Sequence, residues 1–193
     1  GQVMDRTLAS MDTFDERITL ALQWKGAIET TGERVLASNS TPDPDLTALF
    51  DGRVKQGITG ITALQVKVVE LATTPADKKA LERVAAERTQ VLALNKQARE
   101  AKQAADAPAF KAFIETKYLP AIGSYVESLQ AFVQLQQSQR DAARVEAQAA
   151  RTRAAALAWA VQGIVFALGL VLSFVLVRSI TRPLHRAVGL TDA

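Results

Sequence analysis

Several residues able to do chemistry stand where a helical bundle needs apolar side chains. From Leu81, a step of seven reaches Arg88 and a second reaches Asn95; from Ile18, a step of seven reaches Lys25. The apolar run Phe110, Phe113, Ile114 leads to Lys117 and Tyr118, then to Ser124, Tyr125 and Ser128. Stripe positions of a bundle are normally apolar, so polar residues there carry information. A cation turned inward without a partner costs several kcal/mol. Each therefore calls for an internal carboxylate, such as Glu29, or an anionic ligand. Lys25, Arg88 and Tyr118 are expected at about one height. Trp24, Arg34, Thr73, Thr74, Lys117 and Tyr125 complete the candidate ligand-binding set, although Thr73 and Thr74 belong toward the opposite end from Arg34. The chemistry implied is recognition of a small carboxylate. Internal pairing or snorkelling of the long side chains accounts for any single residue equally well.

Reactive constellations are not visible. His185 is the one histidine, cysteine is absent, no cluster has metal-ligand spacing, and no glycine-rich loop follows a strand. Asp15–Glu16 and the Asp43/Asp45 pair read as exposed or capping carboxylates. The expectation is a non-enzymatic protein with no cofactor and no metal. The net charge of +3 comes with arginines on both sides of an apolar run, a pattern of lipid headgroup contact and not of nucleic-acid binding.

The elements that must position these residues are long helices. Met4, Leu8, Met11, Phe14, Ile18, Ala21, Leu22, Ile28, Val35 and Leu36 form one helical stripe. Ser38 to Pro42 ends it, and Asp43-Pro44 restarts a helix with a capping side chain ahead of a first-turn proline. The second stripe is Leu46, Leu49, Phe50, Val54, Ile58, Ile61, Leu64, Val68 and Leu71. Thr74 is the expected N-cap of the third helix, with Asp77 bonding back; Leu81, Val84, Val91, Leu92 and Ala98 make its stripe. Asp106 to Pro108 is the third boundary, and a fourth helix begins near Ala109. Short loops make consecutive helices antiparallel. The fold expected is an all-α, up-down-up-down four-helix bundle whose fourth helix continues into a transmembrane helix.

Ala154 to Val177 holds no charge, with Gln162 its one strongly polar residue. At about 1.5 Å per residue it reaches about 36 Å, enough to cross a hydrocarbon core. Trp159 lies near one headgroup level, and arginines flank both ends. The organisation expected is a bundle over 1–153, a transmembrane helix over 154–177 and the start of a linker over 178–193. Gly1-Gln2-Val3-Met4 runs directly into the helical pattern, so these first residues are not expected to be a signal peptide.

Val177-Arg178-Ser179-Ile180-Thr181-Arg182-Pro183-Leu184, with Val188 and Leu190 behind it, resembles the opening of a HAMP linker, the signalling module that follows the last transmembrane helix of bacterial receptors. Gln23-Trp24-Lys25-Gly26 resembles a segment common in proteobacterial receptors. The whole chain is similar to the sensor region of methyl-accepting chemotaxis proteins of the four-helix-bundle type. That resemblance implies a periplasmic ligand-binding bundle on the bacterial inner membrane, and a cytoplasmic chain from Arg178 onward. It further implies a homodimer, a first transmembrane helix ahead of Gly1 and a downstream cytoplasmic signalling module. Thr116-Lys117-Tyr118-Leu119-Pro120-Ala121 matches the proline-containing stretch that helps hold ligand in aspartate-type receptors. Pro120 should interrupt the helical ladder and free a carbonyl. The family's first-helix arginines have no clear match here, Lys25 and Arg34 being the nearest cations. Dicarboxylic and tricarboxylic acids are thus as plausible as an amino acid. The Ala/Gln-rich stretch Gln134 to Ala150 has a thin apolar stripe that suits packing on a partner subunit. Two other readings stay open: the sensor region of a histidine kinase or cyclic-dinucleotide enzyme, and a structural helical anchor that binds a protein partner.

Overall fold

A computed structural model describes the backbone over residues 2–103 and 107–188, and side chains over 11–103 and 107–175. Three helices come first, α1 (Gln2–Ser40), α2 (Pro44–Leu71) and α3 (Pro75–Gln103). The fourth is composite: α4 (Ala107–Phe113), a π-helical turn (Ile114–Tyr118) and α5 (Leu119–Val188) follow one another directly. The boundaries have local causes. Asp43 Oδ1 accepts from the amides of Asp45 and Leu46 ahead of Pro44 at the first helical position. At the next corner, the Thr74 hydroxyl accepts from the Asp77 amide while Asp77 Oδ2 accepts from the Thr74 amide. This is the reciprocal capping box expected from the sequence. Side chains of Met4 and Leu8, residues 104–106 and Leu190 lie outside the described residues, as do the side chains of the linker-like segment around Pro183.

The chain divides into two compact units, residues 1–143 and 144–193. In the first, the core rows repeat about every seven residues. Arg17, Trp24, Thr31 and Ser38 are buried on α1, Val54, Ile61 and Val68 on α2, and Asp77, Val84, Val91 and Ala98 on α3. A seven-residue repeat keeps one face of each helix toward its neighbours over several turns, the geometry of a four-helix bundle. Cross-links at both ends set the helix directions. Arg17 of α1 meets Thr73 and Asp77 at the α2–α3 corner, whereas Ser38 of α1 bonds Asp51 of α2 and its carbonyl accepts from Lys102 of α3. Consecutive helices therefore alternate in direction, as short loops require.

The stripes differ in detail from the sequence reading. Leu92 is exposed and Leu94 is buried in its place, because Leu94 lies three residues past Val91 on the inner face. Leu22, Leu46 and Leu49 flank the core on the exposed side. Ala121, Tyr125, Leu129, Phe132 and Val133 complete the core from α5.

The second unit consists of the later part of α5. Its side chains from Arg151 to Val175 are exposed throughout. The helix contains an 18-residue window of mean hydropathy 2.2, and is thus long and apolar enough to cross a membrane.

One close approach can be tested directly. A Cβ on Gly57 would stand 2.2 Å from Thr31 Oγ1, 3.1 Å from Cγ2 and 3.2 Å from Cβ, so Thr31 would have to shift, and its own Cβ stays tight whatever its rotamer. Gly57→Ala should destabilise the bundle by about 1–3 kcal/mol despite alanine's better helix propensity. Urea unfolding of Gly57→Ala with and without Thr31→Ala checks this: the second substitution should recover part of the loss.

Candidate functional site

Midway along the bundle the core is interrupted by a small cavity of about 30 Å³. It is lined by Thr31, Ile61, Arg88, Asn95, Tyr118 and Tyr125, among others. Three side-chain oxygens on that lining, Thr31 Oγ1, Asn95 Oδ1 and Tyr118 Oη, are buried without a hydrogen-bond partner. Buried polar atoms nearly always have a partner, so three on one cavity leave hydrogen bonds that a water molecule or another polar group could complete. Arg88 supplies the one formal charge on the lining. It is half-buried, donates to Thr62 Oγ1 at 2.6 Å and also bonds Gln65 Oε1.

The turn before Pro120 decides which residues reach this cavity. Proline has no N–H for the Thr116 carbonyl and its ring crowds the preceding turn. The chain responds with the π-helical turn, in which the Leu119 amide bonds the Ile114 carbonyl, five residues back. The interrupted ladder is as expected. The wider turn brings Tyr118 fully into the core and leaves Lys117 in solvent. Lys117 was expected to point inward by continuing the Phe113–Ile114 stripe at α-helical pitch, and the π turn moves that stripe on by one residue.

The other candidates separate. Trp24 is fully buried; its Nε1 donates to the Tyr125 hydroxyl at 2.9 Å, with the rings edge-to-face at 82° and 6.4 Å apart. Tyr125 is thereby held at the cavity wall. Burial raises its phenol to about 12, although the Trp24 bond and the Arg88 charge oppose the rise. Burial alone raises Tyr118. Lys25 does not line the cavity; it is half-buried and donates to Gln130 Oε1 at 3.4 Å. Arg34 is half-buried and also off the lining, and Glu29 is exposed, so it balances no inward charge. Ser128, buried as expected, bonds back to the Tyr125 carbonyl at 2.7 Å. The single-level group of Lys25, Arg88 and Tyr118 thus reduces to Arg88 and Tyr118, joined by Tyr125, Thr31 and Asn95.

Thr73 and Thr74 belong to a second polar cluster that sequence reasoning missed. Arg17 Nη1 lies 3.5 Å from Asp77 Oδ2 and donates to Gln136 Oε1 at 3.2 Å, while Nη2 donates to Thr73 Oγ1 at 3.3 Å. Gln136 and Gln139 both donate to Asp77 Oδ1, at 2.7 and 3.0 Å. Burial pushes the Asp77 carboxyl up, but hydrogen bonds from Gln136, from the Thr74 amide and hydroxyl, and from Gln139 outweigh it and hold it below its ordinary 3.8. A signal for this cluster was present. Arg17 is seven residues before Trp24, Asp77 seven before Val84 and Gln136 seven after Leu129.

A larger cavity, about 550 Å³, lies at the other end of the bundle among Asn39, Lys102, Phe110, Lys111, Ile114 and Leu119. Its cations are engaged. Lys102 donates to the Ser38 and Thr41 carbonyls and to Thr47 Oγ1, closing the end of α1, and Lys111 faces Glu115 at 3.8 Å. Among the described residues no group of three or more carboxylate or imidazole side chains could hold a metal ion.

Two outcomes follow from these environments. Tyr118→Phe should raise the melting temperature, since it removes a buried hydroxyl whose desolvation costs about 1–3 kcal/mol when unmatched; a fall would mean that the hydroxyl is satisfied in solution. Asp77 binds its proton less tightly folded than unfolded. Its stabilisation is therefore present above pH 3.8 and is lost as pH falls through the depressed folded value. Asp77→Asn should flatten the acid limb of stability between about pH 5 and 2 in urea titrations. No protein-family model matches this chain, and no curated protein matches its sequence.

Proposed function

We propose that this chain is the sensing region of a transmembrane chemoreceptor. In this reading the bundle lies in the periplasm and binds a small anionic ligand, an organic acid or an amino acid. The apolar stretch of α5 spans the inner membrane, and the residues after it open a HAMP module. The receptor would act as a homodimer with a cytoplasmic signalling module beyond the linker. The observation that carries the ligand reading is the mid-bundle cavity, where Arg88 and three unpartnered oxygens share one lining. A guanidinium with hydroxyl and amide groups around it suits a carboxylate, because charge-assisted hydrogen bonds are the strong ones in a partly desolvated site. The resemblance of the segment around Pro183, and a helix apolar enough to cross a bilayer, support the membrane part of the reading.

The size of the cavity bears on mechanism. About 30 Å³ is roughly the volume that one water molecule occupies in the liquid, so the bundle is closed around its polar centre. A carboxylate would have to part the helices to enter. Its binding energy would then favour an open arrangement in proportion to its difference in affinity for the two. The composite fourth helix both lines the cavity through Tyr118 and Tyr125 and contains the apolar stretch, so it is the element on which ligand would act.

Calorimetric titration of the full chain in detergent with dicarboxylates, tricarboxylates and amino acids tests the proposal. At least one should bind, and Arg88→Gln should weaken it about 10- to 100-fold, the worth of a charged hydrogen bond of about 1.5–3 kcal/mol. Absence of binding across the panel, or equal binding by Arg88→Gln, overturns the anion site and favours a structural anchor.

A further inference from the structure

One more step of seven along the inward row of α3 gives Leu81, Arg88, Asn95 and Lys102. Each polar member of this row stands at a cavity. Lys102 lines the large one at the end of the bundle and Arg88 the small one in the middle. Asn95 lines both the small one and a third, of about 230 Å³. Val35 and Val54 are the buried part of the third cavity's lining. Its more accessible lining is Asp51 and Ile58 on α2 with Leu92, Lys96 and Arg99 on α3, so its mouth lies between those two helices.

The third cavity shares Ile58, Leu92 and Asn95 with the small one, so these side chains separate the two. The partition is loosely held. Asn95 Oδ1 is buried without a partner, so turning the amide breaks no bond at that atom, and Leu92 is 40% exposed. The other seams around the small cavity are tighter. Between α1 and α2, Gly57 and Thr31 are too close to admit even a methyl group. Between α1 and α5, a Cβ on Gly32 would touch Ile122 at 3.5 Å, and Trp24 bonds Tyr125. On the α4–α5 side Tyr118 is fully buried.

Charge favours the same route for an anion. Lys96 and Arg99 place two cations at the mouth beside one carboxylate, Asp51, which accepts from the Ser38 hydroxyl at 2.6 Å and lies 3.7 Å from Arg99. Lys96 meets Glu100 at 4.0 Å with both side chains well exposed, a pair that water screens. Arg88 stands behind the partition. We propose that the mid-bundle cavity is entered sideways, between α2 and α3. Ile58, Leu92 and Asn95 form its gate, and Lys96 and Arg99 select anions at the mouth. The proposal rests on the anion-site reading and adds the path and the residues that decide which solutes pass.

The chain has no cysteine, so Thr31→Cys places a single thiol inside the cavity. Its labelling would be timed in the full chain in a non-ionic detergent, with anionic sulfonatoethyl and cationic trimethylammonioethyl methanethiosulfonate. Each rate is divided by the same reagent's rate with 2-mercaptoethanol. On that scale the anionic reagent should be about 10-fold faster. Lys96→Glu, at an exposed position, should remove the preference. Leu92→Trp, which fills the mouth, should slow the anionic reagent about 10-fold, whereas Ile122→Phe on the α1–α5 seam should leave its rate unchanged. A rate that Leu92→Trp does not lower, a preference that survives Lys96→Glu, or equal slowing by Ile122→Phe overturns the route. No carboxylate takes part in the labelling. A failed calorimetric titration with this labelling pattern intact would therefore remove the ligand class and keep the entrance.

Discussion

Asp77 holds a carboxylate with no solvent exposure at the corner between α2 and α3, and that end of the bundle is arranged around keeping it charged. Its two oxygens accept from the Thr74 amide, Gln136, Gln139 and, at 3.5 Å, the Arg17 guanidinium. A buried ion pair of this kind is a poor source of net stability, since desolvation consumes most of the attraction. Its value is positional. An apolar contact tolerates sliding, whereas a carboxylate bonded from α1, from the corner and from α5 tolerates only arrangements that keep its donors. The pair thus sets the height of α5 against α1 and the α2–α3 corner, and the cavity two heptads along α1 inherits that register.

The interior follows from the same rule applied more loosely. On α1 the inward row reads Arg17, Trp24, Thr31, Ser38, and these side chains meet very different partners. Arg17 and Ser38 are paired, at the two ends of the bundle. Trp24 bonds Tyr125, and Thr31 has no partner. Charged side chains tie the helices together at the two ends, whereas the middle is tied by the Trp24–Tyr125 bond beside three oxygens that have no partner.

Much of the fold was legible from residue spacing. Heptad steps, two capping signals and three proline-marked corners specify four long helices and their directions, because helix periodicity and caps are local physics. Some misassignments had equally local origins. Leu92 and Leu94 are both leucines near the stripe, and only packing chooses between them. Among polar residues placed on inward rows, the stepwise reading included Arg88 and the two tyrosines that line the cavity but overlooked Arg17, although it stands on the same heptad row as Trp24. A cation beside an unbroken apolar row reads as a surface residue until its partner on a distant helix is known.

What the sequence by itself determined is the helical architecture, the uncharged stretch from Ala154 to Val177 and the presence of polar residues on inward rows. These depend on residues within a few turns of one another. Only the tertiary structure decided which of those polar residues meet. Asp77 and Gln136 are 59 positions apart, and Trp24 and Tyr125 are 101 apart. Lys117 and Tyr118 were equal candidates until the π turn before Pro120 rotated one outward and the other into the core. That rotation is a response of backbone hydrogen bonding to the N–H that Pro120 lacks, and no count of apolar spacings along the chain contains it.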